Sequence, residues 1–220
     1  MLSRLNFDEI INAGQVVQEV RRNSIDVWIR SHLDGKYADW AAKLKALLSI
    51  YDRAQRSRRL DSGEVIQFEE AVRQNGKPAE TAAELLGELA RRFEEAAFAV
   101  ENLLEDPKPS IRLKGLIALY AIDPNARVFD QYRTALRDKN AKVRVLAADH
   151  ALRRRLKTLV SDLSTQILAE EDRDVRAHLI HARDLLRHGF HKWRDESGTL
   201  LITKIDKNGG FSTTVLNEKH

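Results

Sequence analysis

Between Leu103 and Arg183 one pattern is written three times at a spacing of 32 residues. Leu104, Leu136 and Leu168 are its apolar marks, and Asp106, Asp138 and Glu170 its acids. Ile111, Val143 and Val175 each precede an arginine, Arg112, Arg144 or Arg176. An apolar run, an acid, a short loop and an amphipathic run of this combined length predict a pair of helices. One such pair cannot bury its apolar face alone, so the pairs must stack. The expected fold class is therefore all-α, an α-solenoid of stacked antiparallel helix pairs.

The rest of the chain is assigned around that core. Clear repeats are expected at about 90–121, 127–153 and 157–187, with divergent helices over 2–78 that cap the stack. Leu2, Leu5, Ile10, Val17 and Val20 predict a helix over 2–21, and Ile25 to His32 a short second one. Tyr37, Trp40, Ala41, Leu44, Leu47, Leu48 and Tyr51 keep i, i+3, i+4 spacing and predict a helix of about 20 residues to Arg59. Its arginine-rich tail, Arg53 to Arg59, suits a solvated helix end near the negative dipole. Asp61-Ser62-Gly63-Glu64 opens a further helix, which Asn75-Gly76-Lys77-Pro78 stops. From Pro78 to Pro107 there is no breaker, which predicts one long helix or two abutting ones. Two β-branched runs, Thr199 to Ile205 and Phe211 to Leu216, flank an Asn208-Gly209 turn and predict a β-hairpin. The domain expectation is thus a solenoid over 1–190 and a C-terminal hairpin over 191–220. Two strands alone are marginal in water, so the hairpin must pack on the last helices or on another chain, which makes it a route to oligomers.

The repeated acid and arginine have a physical reading of their own. A carboxylate in the inter-helix loop can accept from N–H groups at the next helix start, and an arginine in that helix's first turn can fork to an acid of its own or the neighbouring repeat. Asp106, Arg112, Asp138, Arg144, Glu170 and Arg176 would then form a structural ladder.

Charge narrows the function classes. The net formal charge is only +4, but Pro107 to Lys157 holds 13 Lys/Arg against 4 Asp/Glu, and Thr158 to Val175 one Arg against five acids. A basic middle therefore abuts an acidic patch. There are no cysteines, so disulfide and thiolate chemistry are excluded, and a reducing compartment fits. The first residues lack the apolar core of a secretory signal, and no run approaches the roughly 18 apolar residues of a membrane span. A cytoplasmic protein with no membrane partner is expected.

Leu103 to Leu119, Ala135 to Leu152 and Val175-Arg176-Ala177 resemble the short bacterial sort of HEAT repeat. The resemblance implies an arc of paired helices whose second helices line the inner face, and a scaffold or binding role. Rarer HEAT-like enzymes are DNA glycosylases that hold alkylated DNA in a basic groove with tryptophans and an aspartate. Here Trp28, Trp40 and Trp193 all lie outside the clear repeats.

On a wheel at about 100° per residue with Val143 at zero, the polar residues of the second helices gather between roughly 240° and 340°. That sector is expected to face an open groove. It carries Lys114, Ile117, Ala118 and Ala121, then Asp149, His150 and Arg153, then His178, His181 and Ala182. Arg154 belongs to the basic run that ends the middle repeat. The expected partner-binding set is Lys114, Asp149, His150, Arg153, Arg154, His178 and His181. The histidines invite a metal reading, but no His-Glu-x-x-His motif or tight ligand cluster accompanies them, so no metal or cofactor is assigned. No phosphate loop or nucleophile elbow is present, and adjacent carboxylates such as Glu94-Glu95 point to different sides of a helix, so no catalytic residue is assigned. The sequence supports a non-enzymatic protein-binding module, an adaptor or a bacterial inhibitor or immunity protein, whose partner presents an acidic surface. The alternative is a nucleic-acid-binding or DNA-repair protein that uses the basic middle.

Overall fold

The computed structural model describes residues 24–206 and 210–216 and is mostly helical. The expected helix over 2–21 and the Asn208-Gly209 turn lie outside the described residues. The chain divides into two compact units, Met1–Leu85 and Leu86–His220. The boundary between these units falls inside a helix, and the C-terminal strands belong to the same unit as the repeats.

In the first unit, α1 covers 24–31, α2 Ala38–Ser57 and α3 Ser62–Val72. The spacing of Ala41, Leu44, Leu47 and Leu48 puts them on one buried face of α2, and Arg58, in the left-handed region at φ 54°, ends the helix. Glu64 in the first turn of α3 accepts from the Asp61 N–H at 3.1 Å and pairs with Arg53, so one arginine of the basic tail is tied back to its own unit. Arg56, Arg58 and Arg59 are exposed.

The segment after Pro78 holds two helices, α4 (Lys77–Ala90) and α5 (Glu94–Leu104). The chain turns at Arg91 to Phe93, where the N–H groups of Arg92 and Phe93 both donate to the Leu89 carbonyl at 3.0 Å. Glu94 and Glu95 then sit at the positive end of the α5 dipole.

Three helix pairs make up most of the second unit. They are α5 with α6 (Pro109–Ala121), α7 (Ala126–Leu136) with α8 (Ala141–Arg153), and α9 (Val160–Ala169) with α10 (Arg173–His188). α6 packs on α8 and α8 on α10, while α5 meets α7 and α7 meets α9. The pairs therefore stack as two layers, solenoid-like, with first helices in one and second helices in the other. The core lies between them. Leu103, Ala135 and Ile167 fill it from one layer, and Ile111, Val143 and Val175 from the other. Of the leucines that mark the repeat, Leu136 is buried, whereas Leu168 is 87% exposed, because the buried position is one residue earlier, at Ile167.

Small residues set how closely the helices approach. A methyl group at Gly87, in the last turns of α4, would lie 2.0 Å from the Ala118 carbonyl oxygen of α6, and one at Gly115 would lie 3.0 Å from the backbone nitrogen of Leu104. Glycine inside a helix costs roughly 1 kcal/mol against alanine, and here it permits backbone contact between packed helices.

Gly189, at φ 77°, closes α10. A three-stranded antiparallel sheet follows instead of the expected two-stranded hairpin: β1 (Phe190–Arg194), β2 (Leu200–Ile205) and β3 (Phe211–Val215), in that order. Its register pairs His191 with Thr203 and Thr203 with Thr213, and likewise Trp193 with Leu201 and Leu201 with Val215. β1 and β2 pack on α10, and this added strand and helix contact supply the support that two strands lack.

Candidate functional site

Each inter-helix loop is built around its acid. Asp106, Asp138 and Glu170 accept from the backbone N–H groups of Lys108, Asn140 and Asp172 at 2.8, 2.7 and 3.3 Å. The arginine of the first turn then ties its own loop to the next. Arg112 gives Nη1 to the carbonyls of Asp106 and Pro107 and forks Nε and Nη2 onto both oxygens of Asp138, at 2.6 and 2.7 Å. Arg144 repeats this, with Nη1 to the Asp138 carbonyl at 2.8 Å and a fork to Glu170 at 2.7 and 2.7 Å. Arg176 donates to the Glu170 carbonyl.

These groups are largely removed from water. The Arg144 and Glu170 side chains are 11% and 3% exposed. Arg144, acting first, together with the Asp172 N–H, holds the Glu170 carboxyl below its ordinary value against the opposing effect of burial. Burial pushes Asp138 up, and the Arg112 fork and Asn140 N–H outweigh it. Two forked arginines whose donors meet carboxylates and carbonyls of the same stack hold that stack together, and they present no reactive group.

The open face of the second helices is rotated by about 40° from the expected sector, to roughly 200–300° on the same wheel. It carries Leu113 and Ile117 of α6, Val145, Leu146 and Asp149 of α8, and His178 and His181 of α10, all half-buried. Tyr120, 40% exposed, and Arg153, with its side chain 56% exposed, stand at its margin. Asp149 accepts from Arg153 Nε at 2.7 Å. At the α10 end, the His181 ring stands edge-on to His191 of β1 at 4.9 Å, and His191 bonds Asp184 at 2.9 Å. Burial, then the neighbouring His191 and His178, lowers the affinity of His181 for a proton.

Three members of the expected binding set are not on that face. Lys114 and His150 are buried, and so are Ala118 and Ala182. His150 lies beside Tyr120, with ring centroids 4.6 Å apart, and faces Tyr132 edge-on at 6.4 Å. Burial lowers its pKa to about 4, so it is neutral at pH 7 and cannot serve as a charged contact. Arg154 gives its guanidinium to the carbonyls of Leu119 and Ile122 that end α6, and lies over the Tyr120 ring. The wheel misplaced them because α6 and α8 are covered on two flanks as well as beneath. The apolar members Leu113, Val145 and Leu146, and Tyr120, were missed, since half-buried apolar residues in a helix carry no mark that separates a binding face from core.

Several arginines of the basic middle pair with carboxylates from outside it. Glu101 takes Arg127; Asp162 takes Arg133 at 3.3 Å and Arg137 at 3.5 Å; Glu170 takes Arg144. Asp138 and Asp149, within the segment, take Arg112 and Arg153. The acidic stretch from Thr158 to Val175 is thus partly the counter-charge of the basic one, brought against it by stacking. An open depression of about 410 Å³ beside α5 and α7 has charged walls of the same kind, Glu101 with Arg127 and Arg112 with Asp138. Among the described residues, no group of three or more His, Cys, Asp or Glu is placed to hold a metal ion, and no helix is long and apolar enough to cross a membrane.

No protein-family model matches the chain, and no curated protein matches it.

Proposed function

We propose that this chain is a non-enzymatic binding module of the HEAT-like kind that takes a protein partner on the open face of α6, α8 and α10, as an adaptor or as an inhibitor or immunity protein that occupies its target's surface. The observation that carries the reading is the make-up of that face. Half-buried Leu113, Ile117, Val145 and Leu146 share it with Tyr120, Asp149, Arg153 and His178. Apolar side chains mixed with tyrosine, arginine and a few polar groups are the composition of protein interfaces. Arg153 is the cation there best placed to meet an acidic group, being more than half exposed. A chain without cysteine suits the reducing cytoplasm, where this action is placed.

The nucleic-acid reading loses its main support, because most arginines of the basic middle already hold a carboxylate or carbonyl partner. Affinity capture from cells of the source organism, with the wild-type chain and a Val145→Glu/Arg153→Glu variant of unchanged helical content, tests the proposal. One protein retained by the wild type and lost by the variant is the expected result. Recovery of nucleic acid without protein, or equal capture by both chains, would sink it.

A further inference from the structure

We infer that the outer edge of β3 is a self-pairing interface, through which a second copy of this chain adds antiparallel across a two-fold axis at Thr213. All five residues of β3 are exposed, and among the described residues no strand lies beyond it. Phe211 and Val215 are 46% and 59% exposed. Natural edge strands are protected by charge, proline or a bulge, and Phe-Ser-Thr-Thr-Val has neither charge nor proline.

The register follows from which backbone groups are already used. Leu216 N–H donates to the Leu200 carbonyl and Asp206 N–H to the Gly210 carbonyl, each at 2.9 Å. Because hydrogen-bonded and non-bonded pairs alternate in an antiparallel ladder, Ser212 and Thr214 turn their backbone groups toward β2. Phe211, Thr213 and Val215 turn theirs outward. A two-fold axis at Thr213 pairs Thr213 with its copy and Phe211 with Val215 of the other chain, and this register alone satisfies all three outward N–H groups and all three outward carbonyls of each strand.

The side chains agree with the backbone. Phe211, Thr213 and Val215 share one face of the sheet, so apolar meets apolar on either side of a central threonine pair. That threonine already ends a hydrogen-bonded row: Trp193 Nε1 donates to Thr203 Oγ1 at 3.1 Å, and Thr203 and Thr213 hydroxyls lie 3.0 Å apart. The second copy would extend the row to its own Thr213. On the other face Ser212 would meet Thr214, so no like charges are opposed. The face that carries Phe211 and Val215 is the one His191 presents to α10. Three strand spacings, about 14 Å, would separate β2 from its copy, which leaves room for an α10 on each side of a trough floored by Phe211 and Val215. Three residue pairs make a small interface, so the expected dissociation constant is on the order of 10–100 µM.

Sedimentation equilibrium of the full chain from about 1 to 500 µM tests this. The wild type should form dimers over that range. Thr213→Pro removes only an outward N–H, leaves the ladder to β2 intact, and should give a monomer with an unchanged circular dichroism spectrum. Phe211→Lys should weaken dimerisation at least about tenfold, and adding Val215→Glu should restore most of it, because only this register sets position 211 against 215 of the other copy. A wild type that stays monomeric at about 500 µM overturns the proposal. So does dimerisation that Thr213→Pro leaves unchanged, or a Phe211→Lys/Val215→Glu chain no tighter than Phe211→Lys. Should Thr213→Pro fail to fold, the lysine and glutamate pair decides alone.

Discussion

Arg144→Ala should destabilise the fold by about 3 kcal/mol, and the reason lies in what the substitution leaves behind. Two charge-assisted bonds at 2.7 Å and one to the Asp138 carbonyl at 2.8 Å disappear together. Glu170, with its side chain 3% exposed, keeps the Asp172 N–H at 3.3 Å. Breaking a buried pair from one side typically costs about 3–5 kcal/mol, and the lower figure applies because Arg144 is itself 11% exposed and its departure admits water. In a chain of 220 residues that is a fall of roughly 6–12 °C in Tm.

The pH dependence separates this account from a loss of packing. Glu170 is depressed in the folded state, so its stabilising contribution is complete above the unfolded value near 4.5 and is lost as pH falls through the folded value. The Tm gap between wild type and Arg144→Ala should therefore be widest near pH 7 and close as the pH drops below about 4.5. Adding Glu170→Gln to Arg144→Ala removes the stranded charge and should recover about 1 kcal/mol or more at pH 7. Thermal melts followed by circular dichroism across pH 3.5–7.5 measure all three chains. A gap under about 2 °C would mean the fork is worth no more than a surface ion pair, and a double variant that is simply additive would refute the stranded-charge argument.

Three further expectations can be checked on the same footing. Gly87→Ala drives a methyl group to 2.0 Å from the Ala118 carbonyl oxygen and should cost about 3 kcal/mol or more despite alanine's better helix propensity, read as a lowered urea midpoint. His150 has a folded pKa near 4 against 6.5 unfolded, so the unfolded chain binds the proton first and stability falls as pH drops from about 6.5 toward 4. His150→Leu should make the loss between pH 7.5 and pH 5 smaller by about 2 kcal/mol in denaturant titrations at the two pH values; an unchanged loss would remove His150 from the account. Labelled duplex DNA should show no anisotropy change below about 10 µM protein at low salt, because a steep salt-dependent affinity needs cations that the arginine pairs have already engaged.

Most of the helical layout was written in the sequence, because helix signals are local. Leu104, Leu136 and the breakers after them end first helices, and an acid five residues before an Ile/Val-Arg pair marks each second-helix start. The spacing of Asp106, Asp138 and Glu170 coincides with loops where each carboxylate accepts a backbone N–H two residues on. The misses depend on distant partners. Phe190 to Arg194 reads as a mixed polar run and becomes a strand only because β2 pairs with it and His191 reaches Asp184. Leu168 carries the repeat's leucine yet is exposed, which no periodicity within one helix reveals.

The open face of the second helices shows the same division in sharper form. A wheel sorts residues by chemistry, but in a stacked helix three of the four sides are covered, so the polar sector and the open sector need not coincide. His150 lies inside because Tyr120 and Tyr132 close over it, at the cost of leaving Nδ1 buried without a hydrogen-bond partner. Arg154 lies against α6 because the last carbonyls of that helix require donors, which the guanidinium supplies. The charge count misleads for a related reason: a local surplus of nine cations counts only sequence neighbours, whereas stacking brings Glu101, Asp162 and Glu170 against it. With these arginines engaged in holding the pairs together, the second layer's open side is left to half-buried Leu113, Ile117, Val145 and Leu146 mixed with Tyr120, Asp149, Arg153, His178 and His181.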